Sequence, residues 1–367
     1  MPELADIFRR YGPEYRAKFG GKMLPSHLRA MEDIENCRTE FMGGHVYLCE
    51  DCGELHYSYH SCQNRHCPKC MNDRAELWLE KQKELLLPTH YFLVTFTLPE
   101  ELRGIARSNQ RTVYDILFRT SAAALKELAA DPRFVGGQIG MMGILHTWAR
   151  DSSYHVHTHY IVPGGGLSID HTKWLPSAED FLVRVEPLSN IFRAKFRDEL
   201  EKTSLFNEVS PDVWKKDWVV HSEAVGSGEH ALEYLAPYVY RVAFCNSRIL
   251  KVEDDKVAFQ YQESGSKKWW QITLPAMEFI RRFLQHVLPE GFIKIRYYGF
   301  LSSTQRETLE KIRYLLAAII VLTLNPLDNS AANAKANPDE SNKLRCPHCG
   351  GQLILYKIIR RHKRGPP

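Results

Sequence analysis

The sequence of 367 residues has no long hydrophobic segment and no large excess of charge of either sign. Its longest apolar run, Tyr314 to Leu324, is well short of the roughly 20 residues that cross a bilayer. The first residues lack the apolar stretch of a secretory signal. The formal net charge is only +4, so any surface for a polyanion must come from local basic clusters. These absences predict a globular protein of the cytoplasm.

Cysteine is comparatively abundant, with nine residues. In a reducing compartment their spacing indicates metal binding rather than disulfides. Two Cys-x-x-Cys pairs, Cys49/Cys52 and Cys67/Cys70, stand fourteen residues apart. Four thiolates form the closed tetrahedral ligand set of a structural Zn²⁺ site, so the sequence predicts one zinc ion held by these four residues. The alternative, buried reduced cysteines without metal, does not account for both spacings.

The remaining cysteines suggest further zinc sites with incomplete ligand sets. Cys37 and Cys62 lie near the first four and are the best candidates for a second zinc ion. Cys346 and Cys349 form half of a zinc ribbon close to the C-terminus, and nearby histidines or ligands from another module could complete it.

Three histidines alternate with other residues in the segment from Tyr154 to Gly166. If this segment is a β-strand, its period of two points His155, His157 and His159 to one face, where imidazoles can share a divalent metal. The alternative is a half-exposed strand that is rich in histidine by chance.

Strand and helix patterns alternate along the middle of the chain and predict an α+β fold with a central antiparallel sheet and flanking helices. The predicted strands are His90–Pro99, Gly136–Trp148 in a hairpin with the histidine strand, Trp218–His221, a hairpin within Val252–Leu274, and Phe292–Phe300. The predicted helices are Asp73–Leu87, one or two within Glu100–Ala130, Phe181–Phe206, Glu229–Val239 and Met277–Val287.

Tyr234 and Tyr238 are four residues apart, which places two phenols on one face of the predicted helix. A buried aromatic pair is the usual explanation of this spacing, but the residues that follow are polar and basic, including Arg241 and Arg248. Pro237 stands between the two tyrosines and argues against a long regular helix.

A second basic and aromatic pattern occurs in the last predicted strand of the middle region. Lys294, Arg296 and Tyr298 alternate and therefore share one face of that strand. Basic residues beside aromatic rings suit single-stranded nucleic acid, through phosphate contact and base stacking.

The segment His157-Thr158-His159-Tyr160-Ile161-Val162-Pro163-Gly164-Gly165-Gly166 resembles the His-hydrophobe-His (HUH) motif of rolling-circle transposases from bacterial insertion sequences. The segment from Tyr234 to Tyr238 resembles their two-tyrosine motif. The cluster from Cys49 to Cys70 resembles their N-terminal zinc-binding domain, and Cys346 to Gly351 the knuckle near their C-terminus. The similarity extends over most of the chain, with its motifs in order.

This resemblance implies a single-strand DNA nuclease and strand transferase with a five-stranded antiparallel sheet that carries the histidines centrally. It implies that His157 and His159 bind Mg²⁺ or Mn²⁺ and that Tyr234 and Tyr238 are nucleophiles that form 5′-phosphotyrosine links. His155 is an extra histidine that completes the metal shell or contacts DNA. The implied partners are single-stranded DNA, hairpins at the element ends and target DNA, near the bacterial nucleoid.

Two residues depart from the motifs. Thr158 stands at the hydrophobic position and suggests a less buried strand, and Pro237 suggests that Tyr238 is the dispensable tyrosine.

Other hypotheses are a plasmid replication initiator or relaxase-type nuclease, or an inactive zinc-dependent DNA-binding protein. We expect an N-terminal arm and zinc module (1–87), a catalytic domain (88–324), a linker (325–342) and a C-terminal knuckle with a basic tail (343–367). No sequence signal indicates an oligomeric state.

Overall fold

The computed structural model describes residues 2–149, 151–233, 244–262, 268–323 and 344–362, without the side chains of residues 71–76 and 319–323. The helices are α1 (Leu4–Phe19), α2 (Pro25–Glu35), α3 (Met71–Lys83), α4 (Arg103–Ser108), α5 (Gln110–Ala129), α6 (Val185–Glu201), α7 (Ala276–Leu284) and α8 (Arg306–Thr323). Residues 228–233 are also helical. In the described part of the chain, no helix is long and apolar enough to span a membrane.

Within the described residues, the strands form four antiparallel sheets, and the largest has five strands in the order β12-β4-β5-β3-β8. The strands are β1 (Gly44–Cys49), β2 (Leu55–Tyr59), β3 (His90–Thr97), β4 (Met141–Trp148), β5 (Tyr154–Pro163), β6 (Gly165–Leu167), β7 (Trp174–Pro176), β8 (Val220–Ser227), β9 (Ile249–Glu253), β10 (Lys256–Gln262), β11 (Trp269–Pro275), β12 (Ile295–Tyr298) and β13 (Leu353–Ile359). The predicted α+β fold is confirmed, and the histidine strand β5 lies at the centre of the large sheet.

The two faces of the large sheet have different neighbours. One face packs against α4, α5 and α6 in the main hydrophobic core, where the ring of Phe96 contacts those of Tyr160 and Phe192 edge to face. The opposite face carries the odd-numbered residues of β5, including the histidines, and a smaller apolar cluster around Ile144 and Ile161. Period-two alternation along β5 therefore separates a core face from a face available for chemistry.

The N-terminal helices share a second core with residues 244–287. The ring of Phe8 in α1 lies 5.3 Å from that of Phe283 in α7, edge to face, and Phe244 and Phe259 belong to the same cluster. This core crosses the boundary expected between residues 87 and 88, because the N-terminal arm packs against residues 244–287 from the second half of the chain.

The C-terminal segment folds onto the N-terminal module as an edge strand. β13 pairs antiparallel with β1, from Gly44 opposite Ile359 to Cys49 opposite Leu353, and β2 pairs with the other side of β1. The result is a three-stranded sheet built from both ends of the described chain.

Candidate active site and metal centres

Three histidines meet on the face of the central sheet that lies opposite the main hydrophobic core. His157 and His159 come from β5, and His146 comes from the neighbouring strand β4, where it pairs with His157. One ring nitrogen from each lies within 4.8 Å of the others, and the ring centroids are 4.7 to 5.2 Å apart. The geometry is that of a group that could hold one metal ion with three imidazole ligands.

Hydrogen bonds orient two of these rings. Nδ1 of His157 donates to the carbonyl oxygen of His155 over 3.0 Å, and Nδ1 of His159 is hydrogen-bonded to Oγ1 of Thr95 over 2.8 Å. The carbonyl partner makes Nδ1 of His157 the protonated nitrogen and leaves its Nε2 for a metal. The Thr95 hydroxyl can accept the Nδ1 proton of His159, and in that tautomer Nε2 of His159 can bind a metal too.

The protein environment favours the neutral form of His157 and His159. Burial lowers the pKa of His159 to about 4 and that of His157 well below its usual value. His146 is only 1% exposed. A neutral imidazole is the form that binds a metal, so no proton has to be displaced at neutral pH.

The structure corrects the expected role of His155. Its ring shares the sheet face with His157, but Nδ1 accepts a hydrogen bond from Nη2 of Arg103 over 3.1 Å, and His155 is not part of the three-histidine group. The geometry therefore does not support His155 as a member of the metal shell: the group of ring nitrogens that could hold an ion contains His146 in its place. The sequence predicts the hairpin of β4 and β5. Its register, which sets His146 opposite His157, is the signal that could have identified His146.

Thr158 is fully buried on the helix-covered face of the sheet. The expectation of a less buried strand at this position is wrong. β5 has a strand on each side, and helices cover the face to which Thr158 points, so its side chain is enclosed. The two histidines beside it project to the other face.

The two predicted nucleophiles, Tyr234 and Tyr238, lie outside the described residues, as does Arg241. The helical residues 228–233 come directly before Tyr234. Within them, Ala231 and Leu232 belong to the apolar cluster on the histidine face of the central sheet. The chain thus reaches residue 233 on the same face as the three histidines.

The predicted DNA surface on β12 is corrected by its contacts. The guanidinium of Arg296 lies 4.4 Å from the ring centre of Phe118 in α5 and is paired with the carboxylate of Asp115. The hydroxyl of Tyr298 donates to the carbonyl of Phe118 over 3.5 Å. Both side chains face the helix-covered side of the sheet, so they stabilise the packing of α5 rather than form an open surface.

The other predicted DNA contacts have different surroundings. The ammonium of Lys294 lies 5.0 Å from the ring centre of Trp148, and burial lowers its pKa to about 7. This setting also argues against an exposed phosphate contact. Arg248 lies 5.8 Å from the ring centre of Trp269, next to Trp270, and both indoles are about half exposed. Arg248 remains a predicted DNA contact.

The cysteines form two groups of four, and neither is the predicted set. One group contains Cys37, Cys62, Cys67 and Cys70, and the other contains Cys49, Cys52, Cys346 and Cys349. The prediction that Cys49, Cys52, Cys67 and Cys70 share one zinc ion is therefore wrong. Cys49 is the last residue of β1, roughly 17 Å from Gly44 at the start of that strand. Cys37 and Cys62 lie near the start of the strand, so they are far from Cys49.

The first group is closed and buried. The Sγ atoms of Cys37 and Cys62 lie 3.4 and 3.5 Å from that of Cys70. Zn–S bonds of about 2.3 Å in a tetrahedron separate the sulfurs by about 3.8 Å, so small outward shifts fit a zinc ion. All four residues are buried in the core shared by α1, α2 and α7, which suits a structural site.

Comparison with known proteins identifies the family. A family model for transposases matches residues 140–308, and the zinc-binding domain of IS91-type transposases matches residues 7–98. The protein y4qJ of Sinorhizobium fredii, whose name describes a transposase, is 39% identical over 386 residues, covering 98% of this chain and 96% of y4qJ. The chain belongs to the IS91 family of transposases. The transposase for insertion sequence element IS801 of Pseudomonas savastanoi pv. phaseolicola is 26% identical over 344 residues, covering 88% of this chain and 82% of that protein.

No solved structure matches this transposase significantly. Its family membership confirms the resemblance drawn from the HUH-like and cysteine motifs, and it makes the protein an enzyme that acts on DNA. The matched zinc-binding domain and the cysteine groups support Zn²⁺ as a structural cofactor.

Proposed function

We propose that this transposase nicks single-stranded DNA at the ends of its element through a tyrosine nucleophile and transfers the strand by rolling-circle transposition. The observation that carries the proposal is the three-histidine group on the central sheet, with the helical residues before Tyr234 packed on the same sheet face. With a divalent ion held by this group, a nucleophile beside it would be able to cleave a phosphodiester.

His146, His157 and His159 are the residues that would hold the catalytic Mg²⁺ or Mn²⁺. Three neutral nitrogen donors fit Mn²⁺ better than Mg²⁺, which prefers oxygen ligands and retains water. When bound, such an ion polarises the scissile phosphate and stabilises the charge that develops on it. The residues therefore fit the proposed cofactor, with Mn²⁺ expected to support the higher activity.

Tyr234 is the proposed first nucleophile. Its phenolic oxygen forms a bond to the phosphorus while the bond to the 3′ oxygen breaks, which leaves a 5′-phosphotyrosine and a free 3′ hydroxyl. The free pKa of tyrosine is about 10, so the phenol must lose its proton as it attacks, and the departing 3′ oxygen takes up a proton to become the hydroxyl. The energy of the broken bond is retained in the phosphotyrosine for later joining. Tyr238 is proposed to serve the second transfer and to be the more dispensable of the two.

The proposed DNA partners are single-stranded DNA, hairpins at the element ends and target DNA. Arg241 and Arg248 are proposed to contact the phosphate backbone, and the exposed indoles beside Arg248 would stack on bases. The cytoplasmic and nucleoid location expected from the sequence remains a prediction.

The test is incubation of the purified transposase with a single-stranded oligonucleotide that carries the element end, with Mn²⁺ or Mg²⁺, followed by a denaturing gel. We expect a 5′-linked protein–DNA product that disappears in Tyr234→Phe. Tyr314→Phe is the matched control, since Tyr314 is 77% exposed on α8 and should leave the product unchanged. Cleavage that survives Tyr234→Phe combined with Tyr238→Phe would refute the mechanism.

The same assay separates the alternatives. Joining of the captured end to a second DNA molecule is expected of a transposase, whereas a replication initiator or relaxase-type nuclease would rejoin only its own strand. An inactive DNA-binding protein would behave identically after His157→Ala combined with His159→Ala, but we expect loss of cleavage with binding of DNA retained.

A further inference from the structure

The C-terminal segment 344–362 lies beyond both family matches and has no part in the proposed nuclease chemistry. It nevertheless brings Cys346 and Cys349 to Cys49 and Cys52 in the N-terminal module. We propose that these four cysteines form a second structural zinc site, one that joins the two ends of the chain.

The sulfur positions fit a tetrahedral zinc ion. The Sγ atoms of Cys49 and Cys349 are 3.4 Å apart, and those of Cys52 and Cys346 are 3.9 Å apart. Tetrahedral ligation with Zn–S bonds of about 2.3 Å requires about 3.8 Å between sulfurs. Four thiols gathered at these distances on a partly exposed surface have no apolar core to explain their proximity, since Cys52 and Cys349 are exposed.

Both Cys-x-x-Cys pairs adopt the same turn. The amide of Gly53 donates to the carbonyl of Cys49 over 3.0 Å, and the amide of Gly350 donates to the carbonyl of Cys346 over 2.9 Å. Gly53 and Gly350 have φ values of +70° and +80°, a left-handed conformation that favours glycine. Two matching turns facing each other are the two halves of a zinc ribbon.

The edge strand β13 positions the second turn. Cys49 pairs with Leu353, and the amide of Glu50 donates to the carbonyl of Gln352 over 3.1 Å, immediately after the second knuckle. Nε2 of His56 lies 3.2 Å from Sγ of Cys346, where its N–H can donate to the thiolate. A hydrogen bond to a zinc-bound thiolate supports the ligand geometry, so β1, β2 and β13 together build the site.

The chain separation distinguishes this site from the first. Cys49 and Cys349 are 300 residues apart, whereas Cys37 and Cys70 are 33 apart. Zinc at the second site would fasten β13 to β1 and so keep the C-terminal segment on the N-terminal module. Because two of its ligands are exposed, this zinc should also be removed by a chelator before the buried one.

The first experiment counts zinc in the purified full-length transposase by inductively coupled plasma mass spectrometry. We expect about two zinc ions per chain, and about one in Cys346→Ser combined with Cys349→Ser. Cys245→Ser is the matched control, because Cys245 belongs to neither group of four, and it should retain both ions. An unchanged zinc content in the double variant would overturn the proposal, as would a single zinc ion in the unaltered chain.

The second experiment does not depend on the folding of a cysteine variant. A protease site is inserted at residue 335, within the predicted linker, and the purified chain is cut. With zinc bound, we expect the C-terminal fragment to co-elute with the rest of the protein in size-exclusion chromatography, and a chelator to release it. Release of the fragment in the presence of zinc, or its retention after the chelator has removed all zinc, would overturn the proposal.

Discussion

The two faces of strand β5 have different roles: one is buried in the hydrophobic core, and the other carries the histidines of the candidate metal site. Val156, Thr158 and Tyr160 are fully buried against α5 and α6, whereas His157 and His159 on the other face are partly exposed. The buried face contributes apolar area and close packing to folding. The histidine face can then hold polar ligands, because the strand is already fixed by its neighbours and by its covered side.

The covered face leaves little room for change. The hydroxyl of Tyr160 is hydrogen-bonded to that of Ser121 over 2.7 Å, and a Cβ at Gly143 would lie 2.5 Å from the Tyr160 ring. On the histidine face, by contrast, the polar contacts orient side chains rather than fill space. Substitutions on the two faces should therefore affect different measurements.

The largest effect on folding is expected for Phe192→Ala. Phe192 is fully buried and contacts Phe96 at 5.0 Å between ring centres. Removal of a buried aromatic ring from a core reduces the free energy of unfolding by about 3–5 kcal/mol. Urea denaturation followed by circular dichroism measures this loss. His157→Ala in metal-free buffer is the comparison and should change the midpoint little; an equal loss in both variants would contradict the division between faces.

The next largest effect concerns metal binding by His146→Ala. Loss of one of three ligands should weaken Mn²⁺ binding by more than about 100-fold, beyond the effect of removing a group that only orients a ligand. Titration followed by electron paramagnetic resonance of free Mn²⁺ measures the affinity. Nicking should be lost while DNA binding is retained. Mn²⁺ affinity equal to that of the unaltered chain would show that His146 is not a ligand.

A smaller effect is expected for Thr95→Val, which keeps the shape of the side chain and removes its hydroxyl. Nδ1 of His159 then loses its hydrogen-bond partner, so the ring is less well oriented. The expected loss of Mn²⁺ affinity is about tenfold, and Thr95→Ser should restore it. If valine and serine variants bind Mn²⁺ equally well, the hydrogen bond has no role in orienting the ligand.

The sequence was sufficient for features that depend on local periodicity. Alternation along β5 placed His157 and His159 on one face, and the family resemblance placed that strand at the centre of the sheet. Periodicity does not show which side of a strand the helices cover. For this reason Arg296 and Tyr298 were assigned to one face correctly but to an open surface wrongly, since α5 covers them.

Features that depend on distant parts of the chain could not be predicted in this way. The position of His146 beside His157 depends on the register of the β4–β5 hairpin, which its turn determines. The cysteine grouping depends on β13 returning to β1. Spacing along the chain favoured Cys67 and Cys70 as partners of Cys49, because nothing local indicates that Cys346 is closer in space.

The smallest effect on metal binding is expected for His155→Ala, and it tests most directly where the metal shell ends. His155 lies on the histidine face, yet its Nδ1 is bound to Arg103, which also lies 3.5 Å from the carboxylate of Glu100. The His155 atom that orients His157 is its backbone carbonyl, which alanine retains, so Mn²⁺ affinity should fall less than about threefold in the same titration. A 100-fold loss would place His155 in the shell and would contradict a shell made only of His146, His157 and His159.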